Sequence, residues 1–138
     1  MKLLIATVGS FGDLHPFMAI ALAARDRGHE VTLATHAHYR SKVESEGLRY
    51  VAIPPDLSYF ENDEKARRRV MHPIDGSRYV IQEIFAPPIA EAYRILLEEA
   101  ARADVLLGST FALALPLAAY KTGKPWFNSC LQPAALFS

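Results

Sequence analysis

A short apolar stretch that ends abruptly at a glycine-containing turn constrains this chain most. Five of the six residues from Leu3 to Val8 are apolar, which is typical of a strand buried in a parallel sheet. The turn Gly9-Ser10-Phe11-Gly12-Asp13 follows, and the next residues predict a helix from about Leu14 to Arg27 with Pro16 in its first turn. Glu30 to Thr35 predicts a second strand. The chain therefore begins with a βαβ unit.

Strands and helices keep alternating along the rest of the chain. The pattern predicts a short helix over 36–46, a strand over 48–53, helical segments from 77 and from 89 on either side of two prolines, a strand over 104–108, a helix over 111–122 and a strand over 125–131. Such alternation implies right-handed crossovers and a parallel sheet. We therefore predict an α/β fold over residues 1–138, a doubly wound, Rossmann-like sheet in three α/β/α layers. Ligands of this architecture bind beyond the carboxyl ends of the strands.

The composition is that of a soluble domain of ordinary size. The 138 residues are 51% hydrophobic and 22% charged, and their formal net charge is zero, which gives no indication of nucleic acid as a partner. The single cysteine, Cys130, excludes an internal disulfide and suits a reducing compartment. The sequence shows no signal-peptide pattern and no apolar run near the roughly 20 residues that span a bilayer. We therefore predict a cytoplasmic protein without a transmembrane segment.

The turn after the first strand combines two features that suit a ligand. It places the free N–H groups of the following helix at the carboxyl edge of the sheet, where an anion would be stabilised. Its spacing, Gly9-x-x-Gly12, matches neither the dinucleotide pattern nor a P-loop. Asp13 has two interpretations. Capping of the helix is the more frequent role of an aspartate at such a place, and general-base catalysis is the alternative.

Aromatic and uncharged polar residues follow the other predicted strands. Together with Phe11 in the first turn, these rim residues are Tyr59, Phe111, Phe137, Ser109, Thr110 and Gln132. Apolar walls with a few polar groups are typical of a pocket for a largely hydrophobic small molecule. The alternative is that several of these aromatic side chains only cover the core.

The segment from Asp56 to Gly76 is the least regular part of the chain. An acidic cluster precedes the basic run Lys65 to Arg69, which is the order that a helix dipole favours. The run is therefore predicted to form a solvated helical face. The alternative is a lid or a membrane-surface patch over a binding site at the carboxyl edge of the sheet.

Four segments resemble a known protein family. They are 3–17 (LLIATVGSFGDLHPF), 22–32 (LAARDRGHEVT), 103–109 (ADVLLGS) and 123–133 (GKPWFNSCLQP). Together they are similar to the N-terminal, acceptor-binding domain of family 1 glycosyltransferases of the GT-B fold. The similarity is greatest to the bacterial and fungal branch that glycosylates sterols, macrolides and glycopeptide aglycones, and the turn Gly9-Ser-x-Gly-Asp13 is its most specific part.

The resemblance implies a reaction and roles for individual residues. The implied enzyme is an inverting, metal-independent glycosyltransferase that moves a sugar from a nucleotide diphosphate sugar, of the UDP-sugar type, to a hydroxyl group of a hydrophobic acceptor such as a sterol, macrolide or lipid. It needs no cofactor beyond that co-substrate. Asp13 falls where related enzymes carry their catalytic histidine and is predicted to be the base, with His15 as the alternative. The N–H groups near Ser10 and Gly12 are predicted to lie close to the donor diphosphate.

The acceptor site implied by the resemblance draws on several predicted loops. Its predicted residues are Phe11, His15, Tyr59, Ser109, Thr110, Phe111 and Gln132. The sequence departs from the family at Phe11, where the sterol and glycopeptide branch usually has arginine. It departs again at Ser109, where histidine-dependent relatives carry an orienting acid. If Asp13 is itself the base, no orienting acid is needed.

The resemblance also implies a second domain. GT-B enzymes have two Rossmann-like domains, and the C-terminal one makes most donor contacts. Residues 1–138 are therefore predicted to form only the acceptor-binding domain, to lack the donor domain, and to be inactive alone. The predicted partners are that donor domain and a hydrophobic small-molecule acceptor, with peripheral membrane contact as an option. The alternatives are the acceptor subunit of a split glycosyltransferase, a non-catalytic Rossmann-like binding module for a small molecule or a protein, and a nucleotide-binding or flavodoxin-like regulator.

Overall fold

The core of the molecule is one parallel β-sheet. In the computed structural model, which describes residues 1–57 and 63–131, the strands are β1 (Lys2–Ala6), β2 (Glu30–Thr35), β3 (Arg49–Ala52), β4 (Val105–Ser109) and β5 (Trp126–Ser129). They pair in parallel in the order β3-β2-β1-β4-β5. The chain thus adds β2 and β3 on one side of β1, and then crosses over to add β4 and β5 on the other side of β1. This order confirms the predicted doubly wound sheet, and its switch point lies between β1 and β4.

The helices cover both faces of the sheet. They are α1 (Phe11–Asp26), α2 (Arg40–Ser45), α3 (Glu64–Val70), α4 (Gly76–Tyr79), α5 (Ile89–Arg102) and α6 (Leu115–Thr122), with a 3₁₀ turn at Ala37–Tyr39 and a π-helical turn at Val80–Phe85. Side chains alternate between the two faces along β1, so Leu4 and Ile5 belong to different cores. Leu4 packs with α5 and α6, whereas Ile5 packs with α1 and α2.

Helix α1 begins three residues earlier than the sequence predicts. Ser10, rather than Asp13, is the N-cap residue, and Asp13 is the third helical residue of a capping box. Pro16 consequently lies in the second turn of α1 and not in the first. Because proline has no N–H group, the Gly12 carbonyl receives no helical hydrogen bond from it. The buried face of α1 is the predicted one, since Leu14 and Phe17 are both fully buried.

The other element ends differ from prediction by a few residues. The largest difference is at α6, which begins at Leu115 rather than at Phe111 because two short turns precede it. In these turns the Ala112 N–H donates to the Ser109 carbonyl and the Leu115 N–H donates to the Ala112 carbonyl. The predicted short helix over 36–46 consists of a 3₁₀ turn followed by α2. Helix α3 carries the predicted exposed face, and Ala66 is its buried residue.

An ion pair fixes α5 at the amino edge of the sheet. Arg49 of β3 makes a two-pronged contact with Glu99 of α5, in which Nη2 donates to Oε1 at 3.0 Å, and Arg102 donates to the same oxygen at 3.2 Å. Glu99 is only 9% exposed. The bond from Arg49 is the main reason that the pKa of the Glu99 carboxyl lies below its ordinary value.

None of the helices among the described residues is both long and apolar enough to cross a bilayer.

Candidate functional site at the carboxyl edge of the sheet

The loops that follow four strands are tied together at the carboxyl edge. His36, directly after β2, is fully buried and accepts a hydrogen bond through Nε2 from the Gly9 N–H at 2.9 Å. Its Nδ1 donates to the Pro55 carbonyl in the loop after β3. Ser109 at the end of β4 accepts a bond from the Val8 N–H at 3.2 Å. Side-chain contacts to the main chain thus hold the first turn in place from both sides.

The two hydrogen bonds of the His36 ring fit its neutral form. Burial of the ring lowers the pKa of His36 below its ordinary value, although the bond to Pro55 and the nearby carboxylates of Asp56 and Asp13 act in the opposite direction. Because Nε2 accepts a hydrogen bond from the Gly9 N–H and Nδ1 donates one to the Pro55 carbonyl, a single neutral tautomer satisfies both contacts.

Asp13 both caps α1 and faces a cleft. Its Oδ2 accepts hydrogen bonds from the Ser10 N–H at 2.8 Å and from the Ser10 hydroxyl at 3.1 Å. Across residues 1–57 and 63–131, no group donates a hydrogen bond to Asp13 Oδ1. One oxygen therefore stabilises the turn while the other remains available to accept a proton. Asp13 thus contributes to capping through its bond from the Ser10 N–H, although Ser10 occupies the N-cap position itself.

Internal bonds already use most of the N–H groups that the sequence predicts for an anion. The Gly9 and Ser10 amides donate to His36 and Asp13, and the Gly12 amide donates to the Ser10 hydroxyl at 3.2 Å. Of the turn residues, only Phe11 has an N–H group that finds no hydrogen-bond partner among residues 1–57 and 63–131. An anion at this helix end would therefore meet the Phe11 amide first.

A cleft of about 450 Å³ opens beside Asp13. This size is typical of sites for small organic ligands. The polar lining residues are Ser10, Asp13, His36, His38, Tyr39 and Arg67, and the apolar ones are Leu57, Val70, Met71, Val80, Phe85 and Phe111. Phe111 stacks on Phe85, with ring centroids 5.4 Å apart. The cleft thus combines the apolar walls and the few polar groups that the sequence predicts for the carboxyl edge.

The predicted site residues do not all meet in this cleft. Ser10, Asp13 and Phe111 line it. Ser109 is buried with its hydroxyl bonded to Val8, and it lines, with Thr110, a separate cavity of about 80 Å³ next to β5.

The remaining predicted residues lie beside the cleft or outside the described residues. The centroid of the exposed Phe11 ring lies 4.9 Å from that of Tyr39 and 5.3 Å from that of His15. His15 therefore packs against Phe11 and is not among the residues that line the cleft. Gly12 lies in the first turn of α1 and is not a lining residue. Tyr59, Gln132 and the rim residue Phe137 fall outside the described residues.

Sequence reasoning missed His36, Tyr39, Arg67 and Phe85 as site residues. Tyr39 donates its hydroxyl hydrogen to the Gly9 carbonyl at 3.3 Å, and Phe85 ends the π-helical turn. For His36 a signal existed in the sequence, because a polar residue directly after a predicted strand lies at the carboxyl edge. For Arg67 the sequence offered only the alternative interpretation of its segment as a lid over a binding site, which did not distinguish it from the other residues of the run Lys65 to Arg69.

A larger cavity, about 530 Å³, lies at the opposite, amino edge of the sheet. Four cationic side chains and two carboxylates line it, and Arg49 and Arg102 pair with Glu99 while Lys2 pairs with Glu30. Since ligands of doubly wound sheets bind at the carboxyl edge, we place the functional site in the cleft beside Asp13. The part of the chain that the structure describes contains no group of three His, Cys, Asp or Glu residues suited to a metal ion.

Comparison with known proteins places this geometry in a family context. The profile of the glycosyltransferase family 28 N-terminal domain matches residues 3–128. The crystal structure of the glycosyltransferase SnogD from Streptomyces nogalater superposes with a TM-score of 0.69 and 28% identity, over 97% of this chain and 34% of that chain. This chain therefore spans about a third of the length of that enzyme.

Two curated relatives each match less than half of the chain. The O-mycaminosyltylonolide 6-deoxyallosyltransferase of Streptomyces fradiae is 45% identical over 60 residues, which are 44% of this chain and 14% of that protein. A sterol 3-beta-glucosyltransferase of Arabidopsis thaliana is 41% identical over 56 residues, 41% of this chain and 9% of that protein. These matches confirm the resemblance to the sterol and macrolide branch that the sequence motifs predict.

Proposed function

Since this chain belongs to the family of glycosyltransferase family 28 N-terminal domains, we propose that it is the acceptor-binding domain of an enzyme that transfers a sugar from a nucleotide diphosphate sugar to a hydroxyl group of a hydrophobic acceptor. The observation that carries this proposal is the position of Asp13. Its carboxylate faces a largely apolar cleft, and one of its oxygens accepts no hydrogen bond from the described residues.

Asp13 is suited to act as the general base of this reaction. It takes the proton of the acceptor hydroxyl as that oxygen bonds to the anomeric carbon of the sugar. The bond from the anomeric carbon to the diphosphate breaks with its electron pair on the leaving nucleotide diphosphate. Attack from the face opposite the leaving group inverts the anomeric centre. The contacts from Ser10 hold the carboxylate in one orientation, which is the role of a preorganised site.

The apolar lining supports a hydrophobic acceptor. The stacked Phe85 and Phe111 rings and the side chains of Val70 and Val80 offer surface for an apolar molecule, and burying such surface is favourable. The amide of Phe11 and the hydroxyl of Ser10 lie at the end of α1 where a donor diphosphate would be stabilised. Most contacts to the nucleotide sugar come from a second domain, so this chain alone is inactive.

The test is a transfer assay on the complete polypeptide of the native reading frame, run beside residues 1–138 alone. Several nucleotide sugars are offered with sterol, macrolide and long-chain alcohol acceptors. We expect transfer by the complete polypeptide and none by the isolated domain. Asp13→Asn should lower kcat by about 100-fold or more with little change in the KM of the acceptor.

The Asp13→Asn variant separates catalysis from capping. The asparagine carbonyl still accepts a hydrogen bond from the Ser10 N–H, so the start of α1 is kept while the base is lost. Asp104→Asn is the matched control, because Asp104 also accepts a main-chain bond, from Lys2 at 2.6 Å, but lies at the amino edge of the sheet. Wild-type turnover in Asp13→Asn would show that the residue only caps the helix, and absence of transfer to every acceptor would refute the assigned activity.

A further inference from the structure

Three consecutive arginines in α3 have different surroundings. Arg68 pairs with Glu64 one turn earlier at 2.6 Å, and Arg69 lies over the Tyr79 ring at 4.4 Å from its centroid. Arg67 has neither an ion pair nor a side-chain hydrogen bond with any residue of 1–57 or 63–131, and it lines the cleft beside Asp13. Arg68 and Arg69 thus make contacts within the domain, whereas Arg67 lines the candidate site.

The helical repeat explains why Arg67 faces the cleft. Residues three and four positions apart share one side of a helix, and the two positions that follow Arg67 at this spacing, Val70 and Met71, also line the cleft. Arg67 is therefore the charged residue on a side of this segment whose other lining residues, Val70 and Met71, are apolar.

Arg67 and Asp13 both line the cleft, but no ion pair joins them or joins Arg67 to any other residue of 1–57 or 63–131. Asp13, the carboxylate among the lining residues, comes from α1 and is engaged by Ser10. A ligand that fills the cleft would remove water from the Arg67 guanidinium, and this costs free energy unless the ligand brings an opposite charge. Guanidinium groups bind carboxylate and phosphate through paired, charge-assisted hydrogen bonds.

From this arrangement, and resting on the proposed function, we infer that the acceptor is an amphipathic anion. Its hydroxyl lies at Asp13, its apolar body packs on the aromatic and aliphatic walls, and its oxyanion, a carboxylate or a phosphate, binds Arg67. The chemical class is a hydroxylated lipid acid or lipid phosphate, rather than an uncharged alcohol.

The test compares matched ligands in titration calorimetry on the complete polypeptide without donor sugar. The ligands are ω-hydroxydodecanoate, its uncharged methyl ester, and ω-hydroxydodecyl phosphate, all below their micellar concentrations. We expect the wild type to bind an anion about five- to tenfold more tightly than the ester, as for one charge-assisted contact at a partly exposed site. The tighter of the two anions identifies the head group.

Two arginine variants localise the effect. Arg67→Gln should remove the preference for the anions and leave binding of the ester unchanged. Arg68→Gln removes one positive charge from the same helix, but the Arg68 side chain pairs with Glu64, so this variant should keep the preference for the anions. A long-range effect of net charge would lower the preference in both variants alike, and that result would overturn the inference.

The possible failures are distinguishable. Equal binding of the ester and the anions by the wild type, or a preference that survives in Arg67→Gln, overturns the anionic acceptor while transfer to uncharged alcohols and its dependence on Asp13 remain. If neither anion nor ester binds and no acceptor is glycosylated, the proposed function fails and the inference fails with it.

Discussion

The imidazole of His36 and the main-chain N–H of Gly9 are joined by a hydrogen bond of 2.9 Å, which links the end of β2 to the turn that presents Asp13. Both partners are held from a second side, since His36 also donates to the Pro55 carbonyl and Gly9 also accepts from the Tyr39 hydroxyl. The geometry of the candidate site therefore depends on a buried ring that must stay neutral.

The protonation of His36 should make stability depend on pH. Burial holds the pKa of His36 in the folded state below its unfolded value of 6.5. Between these two values the unfolded chain binds more protons, so the free energy of unfolding rises with pH in that window. The contribution of neutral His36 to stability is therefore fully present above pH 6.5 and is lost as pH falls through the folded-state pKa. We expect urea unfolding to show decreasing stability from about pH 7.5 to about pH 5.5.

Two glutamine variants check the assignment to His36. His36→Gln places a side chain that does not titrate in the same pocket, so its stability should depend less on pH across this window. His29→Gln alters a histidine at the amino edge of the sheet and should keep the wild-type slope. Identical slopes in both variants would mean that His36 does not control the pH dependence.

Gly9 should tolerate no side chain. Its φ of +140° is rarely adopted by other residues, and a Cβ at this position would collide with the Asp13 carboxylate. Gly28 is the matched control, because its φ is also positive, +83°, but a Cβ there has nothing within 4 Å. We expect Gly28→Ala to lower the free energy of unfolding by about 1 kcal/mol and Gly9→Ala by about 2–4 kcal/mol. Equal losses in denaturant unfolding would show that Asp13 moves aside without cost.

Glu99 should contribute more to stability than its neighbour Glu98. Glu99 is nearly buried and bonded to Arg49 and Arg102, whereas Glu98 makes one exposed contact with Arg94. Glu99→Gln should lower the free energy of unfolding by about 1–3 kcal/mol, and Glu98→Gln by about 0.5 kcal/mol or less.

Acid unfolding gives an independent measure of the Glu99 contact. Because Arg49 lowers the folded-state pKa of Glu99 below 4.5, the stabilisation is present above that pH and is lost as pH falls through the folded value. The Glu99→Gln variant should lose less stability than the wild type over this range, whereas a Glu98→Gln variant should follow the wild type.

Local sequence patterns determined the elements of this protein and its family. The apolar run before Gly9 predicted a buried strand, and the alternation of strands and helices after it predicted the parallel sheet. Both predictions were possible because a buried strand and an amphipathic helix each show a characteristic spacing of apolar residues over a short stretch of sequence. The turn from Gly9 to Asp13 was rightly identified as the strand-to-helix junction. The resemblance resting on the same segment agrees with a family match over residues 3–128.

Tertiary structure decided which side chains meet. Ser109 is the last residue of β4, at the edge where the sequence predicts a site residue, but its hydroxyl accepts a hydrogen bond from the buried Val8 N–H. His36 and Arg67, which the sequence did not single out, line the cleft with Asp13 although each comes from a different part of the chain. Their meeting depends on the strand order and on the rotation of α3, and both are set by packing between residues far apart in sequence. Local propensity fixes where a helix or strand forms, whereas only the packed fold fixes what each side chain faces.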